Sequence, residues 1–380
     1  MAAPDLKAEP GMSDAAGQPT PPNVTAGPST TAAAWTAAAG TAAAGMTAAG
    51  MTVPTTSLPR AVDRSRAMGG GLGIHVAVAR DADIPAAEVD AARVAARVRA
   101  WAARLTRHDP SSDLMRANAD PRGAVPVRPT LAAALRWAAD ASEMSGGIVD
   151  ATMLRERLAA EAPAPLVPPT FAPPPADPRG WSSALSSRPR SRPTWRLEPS
   201  RHRSAILHHE PGTAFDLDGV AKGWIADRAL ALFDRHPGAL VDADGDIAIR
   251  TAQGDSWEVS VADPRTPGAE LAVFVLPGAR LGARYGVATS GISIHRWTAP
   301  DGERHHLIDP RTGLPAATDI VQATVLAGSA SAAEAWAKTA IVLGLVAALD
   351  VLDRAPVLGA ILLASDGRVL AVPRTTRWLA

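Results

Sequence analysis

His305-His306-Leu307-Ile308-Asp309-Pro310-Arg311-Thr312-Gly313-Leu314-Pro315 sets a histidine three residues before an aspartate and then turns the chain with Pro, Gly and Pro. That punctuation fixes the backbone just after a group that can take a proton and a group that can orient it. On this reading His306 is a general base working near neutral pH, with Asp309 beside it. The plainer reading is a structural His–Asp hydrogen bond. Metal ligation by His305 and His306 together is disfavoured, because neighbours on a strand point to opposite faces.

Upstream lies Asp216-Leu217-Asp218-Gly219-Val220-Ala221-Lys222-Gly223. Its glycines and apolar positions predict a helix over 219–233. Backbone N–H groups at such a helix start suit a phosphate, Lys222 adds positive charge, and Gly219 and Gly223 permit close approach. A capped helix with surface charges is the alternative. Downstream, Ala333-Glu334-Ala335-Trp336 falls in a helix expected over 330–343. Glu334 and Lys338 are four apart there, which by itself reads as a weak ion pair. Asp242-Ala243-Asp244-Gly245-Asp246 resembles a calcium loop only superficially. Ile247 and Gln253 stand where an EF-hand needs glycine and glutamate, so a strand turn with Gly245 at its corner is the better account. Gly69-Gly70-Gly71 lacks a following Lys-Ser/Thr and is neither a P-loop nor a dinucleotide fingerprint. It reads as a simple turn or as permissive backbone near a ligand.

Around these blocks the chain reads as mixed helix and strand. Leu72, Ile74, Val76 and Val78 alternate with smaller or polar residues, as in a strand. Helices are expected from Pro85 to Leu105 and from Pro129 to Gly146-Gly147. Strands are expected at 239–243, 247–250, 257–262, 271–276, 286–290 and 322–326. A helix at 345–352 and a final hairpin, 361–364 with 369–372, close the chain. The class is α+β, with mixed or antiparallel sheets and packed helices, rather than a doubly wound sheet. Residues 1–60 are Ala, Thr, Gly and Pro with few large apolar side chains, and read as a disordered tail. Proline crowds residues 163–193, which predicts a loop or insert at about 160–195.

The net formal charge is +0, so no basic excess recommends nucleic acid. With no cysteine, disulfides, thiolate catalysis, cysteine metal sites and a cysteine-linked lipid are excluded. The first residues show no basic region followed by an apolar core. The Ala/Thr/Gly tract of 31–53 lacks Leu, Ile and Phe and would gain little by membrane insertion. A cytoplasmic protein without stable membrane insertion is the expectation.

Taken together and in order, these blocks resemble the ApbE family of FAD:protein FMN transferases. The resemblance runs from about Arg66 to Val372, outside the proline-rich insert, and implies one flavin transferase domain over about 61–375. Met68-Gly69 is similar to the family's entry motif, with Gly70 where threonine is usual. Arg107 to Asn118 resembles the next block, with His108 replacing an aromatic residue that stacks on flavin. Ser145-Gly146-Gly147-Ile148-Val149-Asp150 resembles the segment that frames the flavin. Asp216, Lys222 and Ile308 match flavin-contacting positions. The resemblance implies that FMN passes from FAD to a Ser or Thr hydroxyl of an acceptor protein, with release of AMP, a Mg²⁺ clamp and a base in the His306 region. It puts the metal at Glu334, where relatives carry aspartate, and near Gly219, where some carry threonine. One helical turn on, Lys338 stands where relatives have a hydroxyl or acidic ligand. Two alternatives stand beside this: a relative that binds or hydrolyses FAD without a protein acceptor, and a non-catalytic assembly or maturation factor.

Overall fold

Eight strands form one antiparallel sheet whose spatial order is simply their chain order. They are Arg60–Ala67, Gly70–Ala77, Gly238–Ala243, Asp246–Arg250, Arg284–Gly291, Ile320–Ala327, Gly359–Ala364 and Val369–Ala371. This is a computed structural model, and it describes residues 58–163, 166, 195–278 and 282–380. Residues 1–57 of the expected tail and most of the proline-rich insert lie outside the described residues. The mixed α+β class and antiparallel pairing match expectation.

Side-chain size alternates across the sheet. Leu240, Ile249, Val287, Leu326 and Ile361 face a two-stranded sheet, Ser256–Ala262 with Glu270–Pro277, which contributes Trp257, Val259, Phe274 and Leu276 to the same cluster. The residues between them, Val241, Ala248, Ala288 and Val325, face the helices. Period-two alternation puts these sets on opposite faces, and the smaller residues let helix backbone approach the sheet. Gly286 is the extreme case. A Cβ there would lie 1.9 Å from the Ser329 carbonyl carbon, at the start of the Ala330–Leu343 helix.

Helices Ile84–Leu105, Ala221–Leu230 and Ala330–Leu343 cover the helical face. The first buries Ala87, Ala91, Val94, Ala95 and Val98, the Ala-rich face expected from its sequence. The second begins at Ala221 rather than Gly219 and tightens into a 3-10 turn at Ala231–Phe233. Several elements escaped the sequence reading. Arg60–Ala67 is a paired strand that lies ahead of the first strand expected, at Leu72 to Val78. Short helices form at Asp113–Ala119 and Leu154–Glu161. A three-stranded sheet joins Ala124–Val127, Ala205–His209 and Trp195–Pro199. Arg60 owes its order to distant partners: its guanidinium lies 3.6 Å from the Trp257 ring centroid and 3.1 Å from Asp255. Among the described residues, no helix is long and apolar enough to cross a membrane.

Two turns of the sheet define where a site can form. Met68 and Gly69 (φ 54° and 81°) join the first strand pair, and Asp244 and Gly245 (φ 60° and 91°) join the third and fourth strands. Positive φ at both central residues gives the right-twisted hairpin its favoured connection. The pairing of Leu72 with Ala243 makes the two turns neighbours. A Cβ on Gly70 would fall 2.1 Å from the Asp244 carboxyl carbon, and the Gly71 N–H donates to Asp244 Oδ1 at 3.2 Å. The glycine run therefore makes room for an aspartate of the next turn.

Candidate active site

Helices Ala221–Leu230 and Ala330–Leu343 cross so closely that a Cβ on Gly223 would sit 2.6 Å from the Ala330 carbonyl oxygen. Each helix caps the other. Asp227 accepts from the backbone N–H of Ala330 and of Ser331, both at 3.0 Å, and from the Ser331 hydroxyl at 2.6 Å. In return Glu334 Oε2 accepts from the Gly223 N–H at 3.0 Å. The N–H expected to receive a phosphate at this helix start is thus taken by an internal carboxylate. Capping by carboxylates satisfies exposed N–H groups and suits the positive end of each helix.

The close crossing brings carboxyl groups together at the Asp244-Gly245 turn. Asp246 and Glu334 are buried, and Asp216 and Asp242 are half-buried. Burial first, and then the neighbouring Asp246 charge, push the Glu334 carboxyl up to about 8. Burial also raises Asp246, beside which Glu334 lies within hydrogen-bond reach, and pushes Asp242 up to about 6. Asp216 is raised by burial and by Asp218. Lys222 answers this charge from the helix start, with Nζ 3.8 Å from carboxylate oxygens of both Asp244 and Asp246. Asp246 in particular holds its ammonium above the usual lysine value.

Lys338 enters from the other helix. Its Nζ lies 2.0 Å from the point where a Gly219 Cβ would stand. Burial lowers its pKa, against the pull of Glu334, Asp216 and Asp246. It forms no direct ion pair with Glu334 of the kind their spacing suggested; Glu334 turns to Gly223 instead. These residues do not fit a resident divalent ion. Glu334 gives one carboxylate oxygen to Gly223 and Gly219 has only its backbone carbonyl to offer, but the Lys338 ammonium packs against Gly219, where a second cation would be repelled. Among the described residues, no group of three His, Asp or Glu side chains has ligating geometry. Glu334, Gly219 and Lys338, the three residues expected at the metal, do lie together, with an ammonium where relatives have a hydroxyl or acidic ligand.

Glu334→Gln tests the buried carboxyl. The folded pKa lies above the ordinary 4.5, so folding takes up a proton between 4.5 and about 8. The stability this contributes is full below 4.5 and is lost as pH rises through 8. Glutamine keeps the acceptor for Gly223 and cannot ionise. Melting temperature measured against pH in EDTA should therefore fall less for the variant than for the wild type across that window. Parallel profiles would mean that Glu334 is not held protonated.

The stretch around His306 forms the opposite wall. Strands Arg296–Ala299 and Gly302–His305 pair, and the His306 N–H continues the ladder to the His295 carbonyl at 3.2 Å. The two rings meet edge-to-face, with centroids 5.0 Å apart. His305 points the other way, as strand alternation requires. Its Nε2 lies 2.9 Å from the Ala316 carbonyl oxygen, and its Nδ1 accepts from the Leu307 N–H at 3.3 Å. Those partners assign a neutral, structural imidazole with the proton on Nε2. His306 Nδ1 is buried without a hydrogen-bond partner. Burial, and after it the Arg157 charge, push His306 down to about 2.

Asp309 does not orient His306. Its carboxylate pairs with the Arg311 guanidinium at 2.6 Å and accepts the Arg311 N–H at 2.9 Å. Arg311 also donates to the Val342 carbonyl at 3.1 Å. The aspartate thus ties its own turn to the end of the Ala330–Leu343 helix, because an Asx turn two residues long puts that guanidinium nearest. The residue that reaches His306 is Arg157, which donates to its carbonyl oxygen.

The other expected flavin positions divide. Met68 is half-buried at the tip of the first hairpin, and Lys222 lies in the carboxylate cluster. Asp216 is 3.9 Å from Arg107, which also reaches Asp218 at 2.9 Å and Glu161 at 2.7 Å. His108 is exposed. Ile148 and Val149 are buried, at 4% and 2%, so only their backbone can frame a ligand. Asp150 accepts from the Thr152 N–H and hydroxyl, each at 2.8 Å, and Ile308 is half-buried in a short pairing with Pro315. Arg107, Arg157, Asp246 and His295 were missed as site residues. Arg157 sits on a helix that the sequence reading did not find, and His295 precedes its partner by a full hairpin.

Comparisons with known proteins bear on the family and the fold. A sequence model described as the ApbE family matches residues 68–362. A FAD:protein FMN transferase of Treponema pallidum is 33% identical over 175 residues, covering 43% of this chain and 47% of that protein. One from Salmonella typhimurium is 33% identical over 150 residues, covering 38% and 41%. The chain thus matches less than half the length of these relatives. In three dimensions it is similar to the Pseudomonas stutzeri flavinyl transferase ApbE in its apo form. The TM-score is 0.66 at 20% identity, covering 84% of this chain and 96% of that one. It is also similar to the ApbE protein of Thermotoga maritima, with TM-score 0.64 at 19% identity, covering 85% and 100%. Likeness at such identity speaks for the fold.

Proposed function

The chain belongs to the ApbE family, and from that premise we propose that it transfers FMN from FAD to a Ser or Thr hydroxyl of an acceptor protein, releasing AMP. The observation that carries this reading is the position of His306. A neutral imidazole with a free buried nitrogen faces His295 and feels the charges of Arg157 and Lys338. Such a group can take the proton of an acceptor hydroxyl as its oxygen attacks phosphorus. A diphosphate placed beside the ring would raise its basicity, since a nearby negative charge favours the imidazolium. Lys222 and Lys338 supply positive charge where the phosphoryl and leaving oxygens gain negative charge. Arg157 holds the His306 backbone, and Arg107 holds the Asp216–Asp218 loop. Both therefore act by fixing geometry.

The test is incubation of the full-length protein with FAD and a Ser/Thr peptide library, read by mass spectrometry. Peptides heavier by one FMN moiety, with AMP in equal amount, are expected. AMP and free FMN without modified peptide would establish an FAD hydrolase instead. Absence of flavin binding would leave the assembly-factor reading.

A further inference from the structure

We infer that the Lys338 ammonium is the cation that engages the FAD diphosphate in this protein, in the place a divalent ion would otherwise take. The inference rests on the flavin-transfer reading above and adds the identity of the charge-neutralising group.

Three observations point to it. First, the pocket is built of carboxyl groups: Asp216, Asp242, Asp244, Asp246 and Glu334. Lys222 Nζ stands 3.8 Å from carboxylate oxygens of both Asp244 and Asp246, and Glu334 meets the Gly223 N–H at the same helix crossing. An anionic diphosphate cannot enter such a pocket unless a cation stands between the two.

Second, the available cations differ in how they are engaged. Lys222 is held at 3.8 Å by both Asp244 and Asp246 and touches the Asp244 carbonyl at 3.5 Å. It neutralises the pocket itself. Lys338 Nζ makes no direct hydrogen bond or ion pair with a described residue, so its three N–H donors are open to a ligand. It feels Glu334, Asp216, Asp246, Lys222 and His306 on its several sides.

Third, the site makes room for this ammonium. Gly219 is the residue against which Nζ packs, and any side chain there would meet it at 2.0 Å from the Cβ. Glycine at 219 and lysine at 338 meet in space although they are far apart in the sequence. A metal site would favour an oxygen ligand at 338, where this chain carries an ammonium. This pair supplies a cation packed into the space that a side chain at 219 would take.

In the transfer step the acceptor hydroxyl oxygen forms a new bond to the FMN phosphorus. The bond from that phosphorus to the bridging oxygen breaks, and its electron pair leaves on AMP. The hydroxyl proton passes to His306. Lys338 donates hydrogen bonds to the phosphate oxygens throughout and undergoes no bond change.

The experiment is FAD binding by the full-length protein, read by quenching of flavin fluorescence, in EDTA and in excess Mg²⁺. Wild-type protein should bind FAD equally in both. Lys338→Met should weaken binding in EDTA about 10- to 100-fold, the loss expected for a charge-assisted hydrogen bond. Lys338→Thr should bind weakly in EDTA and recover with Mg²⁺, because a hydroxyl then stands beside Glu334. Thermal melts of both variants show that they are folded. Wild-type binding that disappears in EDTA and returns with Mg²⁺ would overturn the inference and leave the flavin reading intact. Equal affinity of wild type and Lys338→Met in EDTA would overturn it too. If no FAD binds under either condition, the flavin reading itself fails.

Discussion

His306→Ala is expected to slow flavin transfer to protein by about 10²–10⁴-fold, the usual contribution of a general base, while FAD affinity changes little. A base acts where the proton moves, in the transition state, and adds little to ground-state binding. Single-turnover transfer and fluorescence titration of FAD measure the two separately. Parallel losses would mark His306 as a binding residue. A second signature comes from pH. The folded-state imidazole is depressed from 6.5 to about 2, so the folded protein refuses a proton that the unfolded chain accepts. The stability associated with this group is full above 6.5 and is lost as pH falls towards 2. The alanine variant should lose part of that acid sensitivity, which thermal melts between pH 4 and 7 would register.

Gly286→Ala is expected to destabilise the fold by about 3 kcal/mol or more, at the upper end for overpacking a dense interior. The added methyl would lie 1.9 Å from the Ser329 carbonyl carbon and 2.1 Å from the Ala330 nitrogen. Both are backbone atoms that cannot rotate away. Relief requires the whole Ala330–Leu343 helix to move, and with it Glu334 and Lys338, so FAD binding should weaken as well. Gly328→Ala is the control. Gly328 is exposed with open space at its Cβ position, and this change should stay within about 0.5 kcal/mol. Chemical denaturation of the two variants decides. Equal midpoints would mean that the strand and helix are not packed as tightly as these distances require.

Local pattern carried much of the fold. The helix at 330–343 follows from its apolar spacing, and both hairpin turns follow from glycine at a position that needs positive φ. The strand at Arg60–Ala67 was not legible, because alternating charged residues carry no apolar signal. Its order comes from pairing with Gly70–Ala77 and from Arg60 stacking on Trp257. The small helix at Leu154–Glu161 was hidden by the prolines that follow it, and Arg157 was hidden with it.

By itself the sequence determined the α+β class and most element positions, which depend on nearest neighbours: residue size, charge and the period of apolar positions. The grouping of His306, Lys222, Glu334 and Lys338 as candidate site residues came from the order of motifs in the family resemblance. Partnership was decided by the tertiary structure. Asp309 looked like the partner of His306 because they are close in the chain, yet Arg311 claims its carboxylate, and Arg157 comes from another element to hold His306. Glu334 looked like the partner of Lys338, yet a helix crossing at Gly223 gives it a backbone N–H, while Lys338 finds its space at Gly219. Hydrogen bonds and ion pairs form between groups that packing brings within about 3 Å, and that distance is set by how helices and strands meet rather than by their spacing in the chain.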